Sequence, residues 1–198
     1  MTEPTAPAAA TDFTQLPDGL PVPVDDGAAK HVPGRPMPPL VLPGTDGSTV
    51  SLHELGPGRT VVYIYPLTGR PGVALPEGWD EIPGARGCST EACDFRDHYA
   101  ELLDAGVTAV FGLSSQSVDY QREAVQRLGL PYAMLSDPAL ELAAALGLPT
   151  FTAGRVTLYR RLTLIIAGGR IEHVFYPIFP PNRHAGEVLG WLRGHPPK

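Results

Sequence analysis

The spacing of apolar positions changes along the chain, and each change marks an element. Residues 61–65 (VVYIY) are a continuous β-branched and aromatic run, the pattern of a strand buried on both faces. From 89 to about 103 the apolar positions Ala92, Phe95, Tyr99 and Leu102 or Leu103 recur at three- and four-residue steps, which predicts a helix closed by Gly106. A strand over 108–113 follows. A second amphipathic helix covers 117–128, with Gly129 just beyond it. Residues 132–135 read as a short strand and 139–146 as a third helix. Two apolar runs, 162–166 and 171–176, flank Ala-Gly-Gly-Arg and predict a β-hairpin. Val188, Trp191 and Leu192 place a last helix over 187–193. Upstream, 40–42 and 49–52 flank an Asp-Gly turn and read as an opening hairpin. Strands alternating with helices and ending in a hairpin predict an α/β fold, with a mixed central sheet covered by helices on both faces and an N-terminal β-hairpin. That order is compatible with a thioredoxin-like fold but does not by itself establish one.

Composition places this pattern in one domain. The chain has 198 residues, 43% of them apolar, enough for one sizeable core. Ten of the 23 prolines fall in the first fifty residues. Residues 1–35, rich in Pro and Ala, therefore read as an extended arm that buries little, ahead of a domain over 36–198. A second Pro/Gly-rich stretch, 66–87, is longer than most connections in compact domains, which points to a functional loop. Fifteen basic against 21 acidic residues give 15 − 21 = −6. That balance argues against nucleic acid or an anionic membrane as partner. The first twelve residues lack the basic and apolar regions of a secretory signal, and no apolar run approaches a membrane span. A cytoplasmic protein is the expectation.

The candidate chemistry lies in Gly87-Cys88-Ser89-Thr90-Glu91-Ala92-Cys93. Cys88 and Cys93 are the two cysteines of the chain, too close in sequence to staple a fold of this size. Cys88 stands where a loop becomes a helix, and Glu91 where a capping-box acid would sit. A helix N-terminus stabilises an anion, so the Cys88 thiol is expected below its ordinary pKa and reactive as thiolate. The competing reading of a free cysteine is a small buried hydrophobe. On an ideal helix, Cα atoms five residues apart are about 8.6 Å from each other, beyond the roughly 7 Å that a disulfide spans. If the pair is a redox couple, forming the bond must unwind the first turns of the helix. Cys88, Cys93 and His98 follow one another at steps of five and diverge around a helix, so no metal site is expected, and no cofactor.

The segment GCSTEACDFRD resembles the active-site helix of peroxiredoxins, in particular the bacterioferritin-comigratory or Q type. Further resemblances fall in the same order along 36–193: MPPLVLPGTDGSTVSL to the opening hairpin, VVYIYP to the strand before the active site, and RLTLII to the strand that carries the active-site arginine. The resemblance implies a thioredoxin-like fold and a thiol peroxidase. Cys88 would attack a hydroperoxide and become a sulfenic acid. Cys93 would resolve it as an intramolecular disulfide, which a thioredoxin-like or other thiol donor would reduce. Arg161 would supply positive charge, with Arg160 as the neighbouring alternative. An intrachain disulfide requires no covalent dimer, leaving a monomer or a non-covalent homodimer. The family places Thr or Ser three residues before the peroxidatic cysteine and Pro seven before it; here those positions are Ala85 and Glu81. Either Pro66 and Thr68 keep those roles across an inserted loop, or Arg86 and the backbone of 83–87 replace them. The alternative function is redox sensing or disulfide exchange by the same two cysteines without efficient peroxide turnover.

Overall fold

In a computed structural model, residues 12–196 are described; the first eleven residues of the expected arm lie outside them. The opening hairpin is β1 (Val41–Pro43) with β2 (Thr49–Ser51), antiparallel. The central sheet contains β3 (Arg59–Ile64), β4 (Val107–Ser114), β5 (Met134–Ser136), β8 (Leu162–Ala167) and β9 (Arg170–Phe175), in the order β5-β4-β3-β8-β9. β3, β4 and β5 run parallel, β8 pairs antiparallel with β3, and β9 pairs antiparallel with β8. The helices are α1 (Cys88–Asp97), α2 (Tyr99–Asp104), α3 (Val118–Leu128), α4 (Glu141–Leu146) and α5 (His184–Gly194). None is long and apolar enough to cross a membrane.

The two faces of the sheet carry two cores, divided by the alternation of side chains along a strand. Val62 and Ile64 of β3, with Leu162, Leu164 and Ile166 of β8, face α4 and join Leu142 and Leu146. Val61, Tyr63 and Tyr65, with Ile165, face the other way and meet Cys88, Ala92 and Phe95 of α1 and Val188 and Leu192 of α5. The continuous apolar run of β3 is thus a central strand buried on both sides, and it lays the face of α1 that carries Cys88 directly on the sheet.

Four features differ from the sequence expectation. The helix expected over 89–103 is two helices, divided at His98, whose backbone (φ −96°, ψ 5°) leaves the helical region while its ring Nδ1 sits 2.9 Å from the Asp94 carbonyl. The N-terminal segment buries more than its composition suggested: Ala29, Val32 and Met37 enter the α4-side core. An unforeseen hairpin, β6 (Thr150–Ala153) and β7 (Val156–Tyr159), turns at Gly154, whose φ of 60° suits a two-residue reversal. Its short strands alternate Thr with apolar residues, a weak signal beside a neighbouring apolar strand. Finally, the loop over 66–87 has a core of its own. Trp79, buried in a short helical turn (Trp79–Glu81), packs with Ala85, Ala153 and Leu158, so the hairpin is the platform on which the loop rests.

Candidate active site

Gly87 starts α1 from the left-handed region (φ 99°), which only glycine adopts without strain. This sharp turn makes Cys88 the first helical residue and points its sulfur at the sheet, where it is 3% exposed. Arg161 enters from the residue just before β8. Its Nη2 donates to Cys88 Sγ at 3.2 Å and to the carbonyls of Arg86 (3.2 Å) and Ala85 (3.4 Å). Its Nη1 pairs with Glu91 Oε2, both side chains being buried. Arg160 is only partly buried, so of the two adjacent arginines Arg161 faces the sulfur.

The expected capping role of Glu91 is not observed. No side chain caps α1, and Glu91, one turn after Cys88 on the same helix face, turns inward onto Arg161. This residue was the one the sequence reading misassigned, although its spacing from Cys88 was the available signal. Burial pushes the Glu91 carboxyl up, and Arg161 pulls it back. Glu91 Oε1 and Arg161 Nε have no partner among the described residues. Next to the pair lies His184, fully buried, with Nε2 2.8 Å from Thr163 Oγ1 and its ring edge against Phe95. The sequence carries no local signal for it.

The Cys88 thiol sits above its ordinary range, opposite to the sequence expectation. Removal from water is the largest cause; the Arg161 guanidinium pulls the value down, and the Glu91 carboxylate pushes it up again. The helix-end position remains as expected, but burial outweighs it.

Of the other expected site residues, Pro66 is buried two residues after the end of β3. Thr68 is fully buried, but it donates both its amide and its hydroxyl to Gln116 Oε1 at 2.9 Å rather than to the sulfur. Arg86 pairs with Asp80 at 3.2 Å and lies over the ring of Phe13 at 5.4 Å. Arg86 and Cys88 line a cavity of about 10 Å³, the room of about one water, together with Phe13, Leu67, Leu75 and Trp79. Thr68 is not among its lining residues. Cys93, half-buried on another side of α1, lies near Arg96, and burial holds its thiol above the ordinary range. Both cysteines are free thiols.

Residues 32–189 match the sequence profile of the redoxin family. The chain belongs to that family. Within the redoxins its relatives are peroxiredoxins: it is 31% identical to the chloroplastic peroxiredoxin Q of Gentiana triflora over 89% of this chain and 76% of that protein. Peroxiredoxin Bcp of Escherichia coli (strain K12) is 30% identical over 82% of this chain and 96% of its own length. Among solved structures, peroxidoxin BcpB of Mycobacterium tuberculosis superposes with a TM-score of 0.66 and 25% identity, covering 84% of this chain and 99% of that one. Peroxiredoxin Q of Xanthomonas campestris gives a TM-score of 0.62, over 89% and 97% of the two chains. The fold is therefore the thioredoxin-like fold of the peroxiredoxins, and the chain is a thiol peroxidase of that family.

Proposed function

We propose that Cys88 is the peroxidatic cysteine and Cys93 its resolving partner. The observation that supports this most directly is the Arg161 guanidinium, fixed by Glu91 and two carbonyls and donating to Cys88 Sγ at 3.2 Å. Such a preorganised cation stabilises the thiolate and the charge that builds on the departing oxygen. The Cys88 thiolate attacks one oxygen of a hydroperoxide, the O–O bond breaks, and the alcohol or water leaves with a proton. Cys88 is then a sulfenic acid. The Cys93 thiolate displaces hydroxide from that sulfur, water forms, and a Cys88–Cys93 disulfide results. A dithiol donor of thioredoxin type reduces it by exchange. Such a donor requires a reducing compartment such as the cytoplasm.

Because both cysteines lie on α1, resolution requires the first turns of this helix to open. Opening separates Glu91 from Arg161, so the step that oxidises the pair also dismantles the charge cluster that activated Cys88.

Intact mass after one equivalent of hydrogen peroxide tests the reading. A loss of about 2 Da in the wild type, with a gain of about 16 Da in Cys93→Ser, is expected. Peroxide consumption that survives Cys88→Ser would sink it. The raised Cys88 thiol and the commitment of Thr68 to Gln116 favour one second reading, a redox sensor that oxidises slowly. A catalytic cycle with a thiol donor that far outpaces partner binding excludes that reading.

A further inference from the structure

We propose that the segment from Phe13 to Pro23 is a strap across the mouth of the Cys88 site, and that Phe13 selects the peroxide by size, favouring hydrogen peroxide over bulky organic hydroperoxides. The proposal rests on the reading of Cys88 as the peroxide-reducing thiol.

Three residues lay the strap on the loops that carry the site, and each meets a glycine, Phe13 also the loop arginine. The ring of Phe13 lies so close to Gly69 that a Cβ there would come within 2.3 Å of it. The same ring carries the Arg86 guanidinium on its face. Leu16 would be 2.8 Å from a Cβ on Gly87, the residue that starts α1. Pro23 packs on Gly84 and, with Arg161, lines a second small cavity. The strap thus touches Gly84, Arg86 and Gly87 of the segment that presents Cys88 and holds Arg161.

The cavity that Cys88 lines has room for about one water, and Phe13 is the strap residue that lines it. Hydrogen peroxide needs little more room than that. A hydroperoxide bearing an aromatic or long alkyl group does not fit until Phe13 leaves. The strap is also easy to lift. Phe13 and Leu16 are only half-buried, and among the described residues no backbone hydrogen bond ties 13–24 to the rest of the chain. Bulky substrates are accordingly taxed by the fraction of molecules in which the strap is open. With the strap away, Leu67, Leu75 and Trp79 form an apolar mouth suited to the organic group.

The test compares wild type with Phe13→Ala and Phe13→Leu, all in the Cys93→Ser background, so that single oxidation of Cys88 is read by stopped flow and confirmed by mass. The rate ratio of hydrogen peroxide to cumene hydroperoxide is expected to fall about tenfold or more in Phe13→Ala, as for a closed state that dominates tenfold, with Phe13→Leu between. An unchanged ratio overturns the proposal. Alkylation of Cys88 by iodoacetamide and by pyrenylmaleimide reads the same gate without peroxide: Phe13→Ala should accelerate the bulky reagent selectively, and equal acceleration of both overturns the strap. If alkylation discriminates but neither peroxide oxidises Cys88, the peroxidase reading fails and the strap remains a size filter on a thiol.

Discussion

At the scale of single residues, the reactivity of Cys88 is a balance of three charges in a dry site. Burial and the Glu91 carboxylate disfavour the thiolate; Arg161 favours it. Thiolate is the attacking form, so the oxidation rate rises with pH through the neutral and mildly alkaline range and levels off above the raised thiol value. Arg161→Met removes the lowering charge, and the profile shifts to higher pH. Glu91→Gln removes a raising charge, and the profile shifts to lower pH. Stopped-flow rates across pH, read for each variant, check both directions; an Arg161→Met profile that coincides with wild type would contradict the assignment. Arg161→Met is also expected to lower kcat/KM by about 10²- to 10³-fold, as for loss of one preorganised charge donor. Glu91 acts through Arg161 and is a positioning residue. Cys88 is legible in the sequence as a loop-to-helix junction, whereas Arg161 comes from the resemblance of RLTLII to the family's arginine-bearing strand, with Arg160 left as the alternative that packing decides. The sequence did not expose the role of Glu91, because an acid near a helix start has a local reading, the cap, that is right only when the side chain faces solvent.

At the scale of elements, α1 must hold still to activate Cys88 and then come apart to let Cys93 reach it. Tyr132 Oη donates to the Ala92 carbonyl at 2.8 Å, and Asp94 Oδ2 accepts from the Ala185 amide at 2.7 Å, so the middle of α1 is tied to the sheet side and to α5. Tyr132→Phe removes one tie, at a cost of about 1 kcal/mol. It is expected to speed disulfide formation relative to sulfenic acid formation, read as two phases of tryptophan fluorescence; slower resolution would show that Tyr132 does not restrain the opening. The Glu91–Arg161 pair gives a second prediction. Arg161→Met alone leaves a buried carboxylate uncompensated and destabilises the fold by about 3–5 kcal/mol. Replacing both, as Glu91→Leu with Arg161→Met, recovers most of that loss in urea unfolding while activity stays low. A double variant no more stable than the single one would refute the pairing as the source of the cost. The main strands and helices were readable from periodicity. The break at His98 and the β6–β7 hairpin were not: the apolar spacing runs on across His98, where the ring turns back on the Asp94 carbonyl, and the hairpin strands are too short to outweigh their neighbours.

At the scale of the whole molecule, the far end of the sheet closes with an aromatic stack. The rings of His173 and Trp191 lie 4.6 Å apart, those of Trp191 and His195 4.4 Å, and the Arg59 guanidinium lies 5.3 Å from the Trp191 ring. Arg59 also clasps Glu172 of β9, at 2.7 and 2.5 Å. Burial and the neighbouring His195 hold His173 below its ordinary pKa, and Arg59 holds Glu172 below its own. Both depressed values act with one sign. The folded state resists protonation, so stability is complete above the unfolded-state values. It begins to fall as pH drops below about 6.5, and falls further below the ordinary range of Glu. The urea midpoint of the wild type should fall relative to that of His173→Phe as pH drops below about 6.5; a difference between the two that does not change with pH would rule His173 out.

The chain's local patterns were sufficient for the α/β layering, for the pair of cysteines on one helix and for the strand that delivers Arg161, because periodicity and helix-end chemistry act over a few neighbouring residues. Packing across the chain decided the rest. It drew Ala29 and Val32 into the core, folded the long loop around Trp79, set Phe13 over the site, and turned Glu91 inward onto Arg161. These outcomes depend on burial, and burial raised the Cys88 thiol where the helix end alone predicted the reverse, since the cost of removing an ion from water is set by everything that surrounds it.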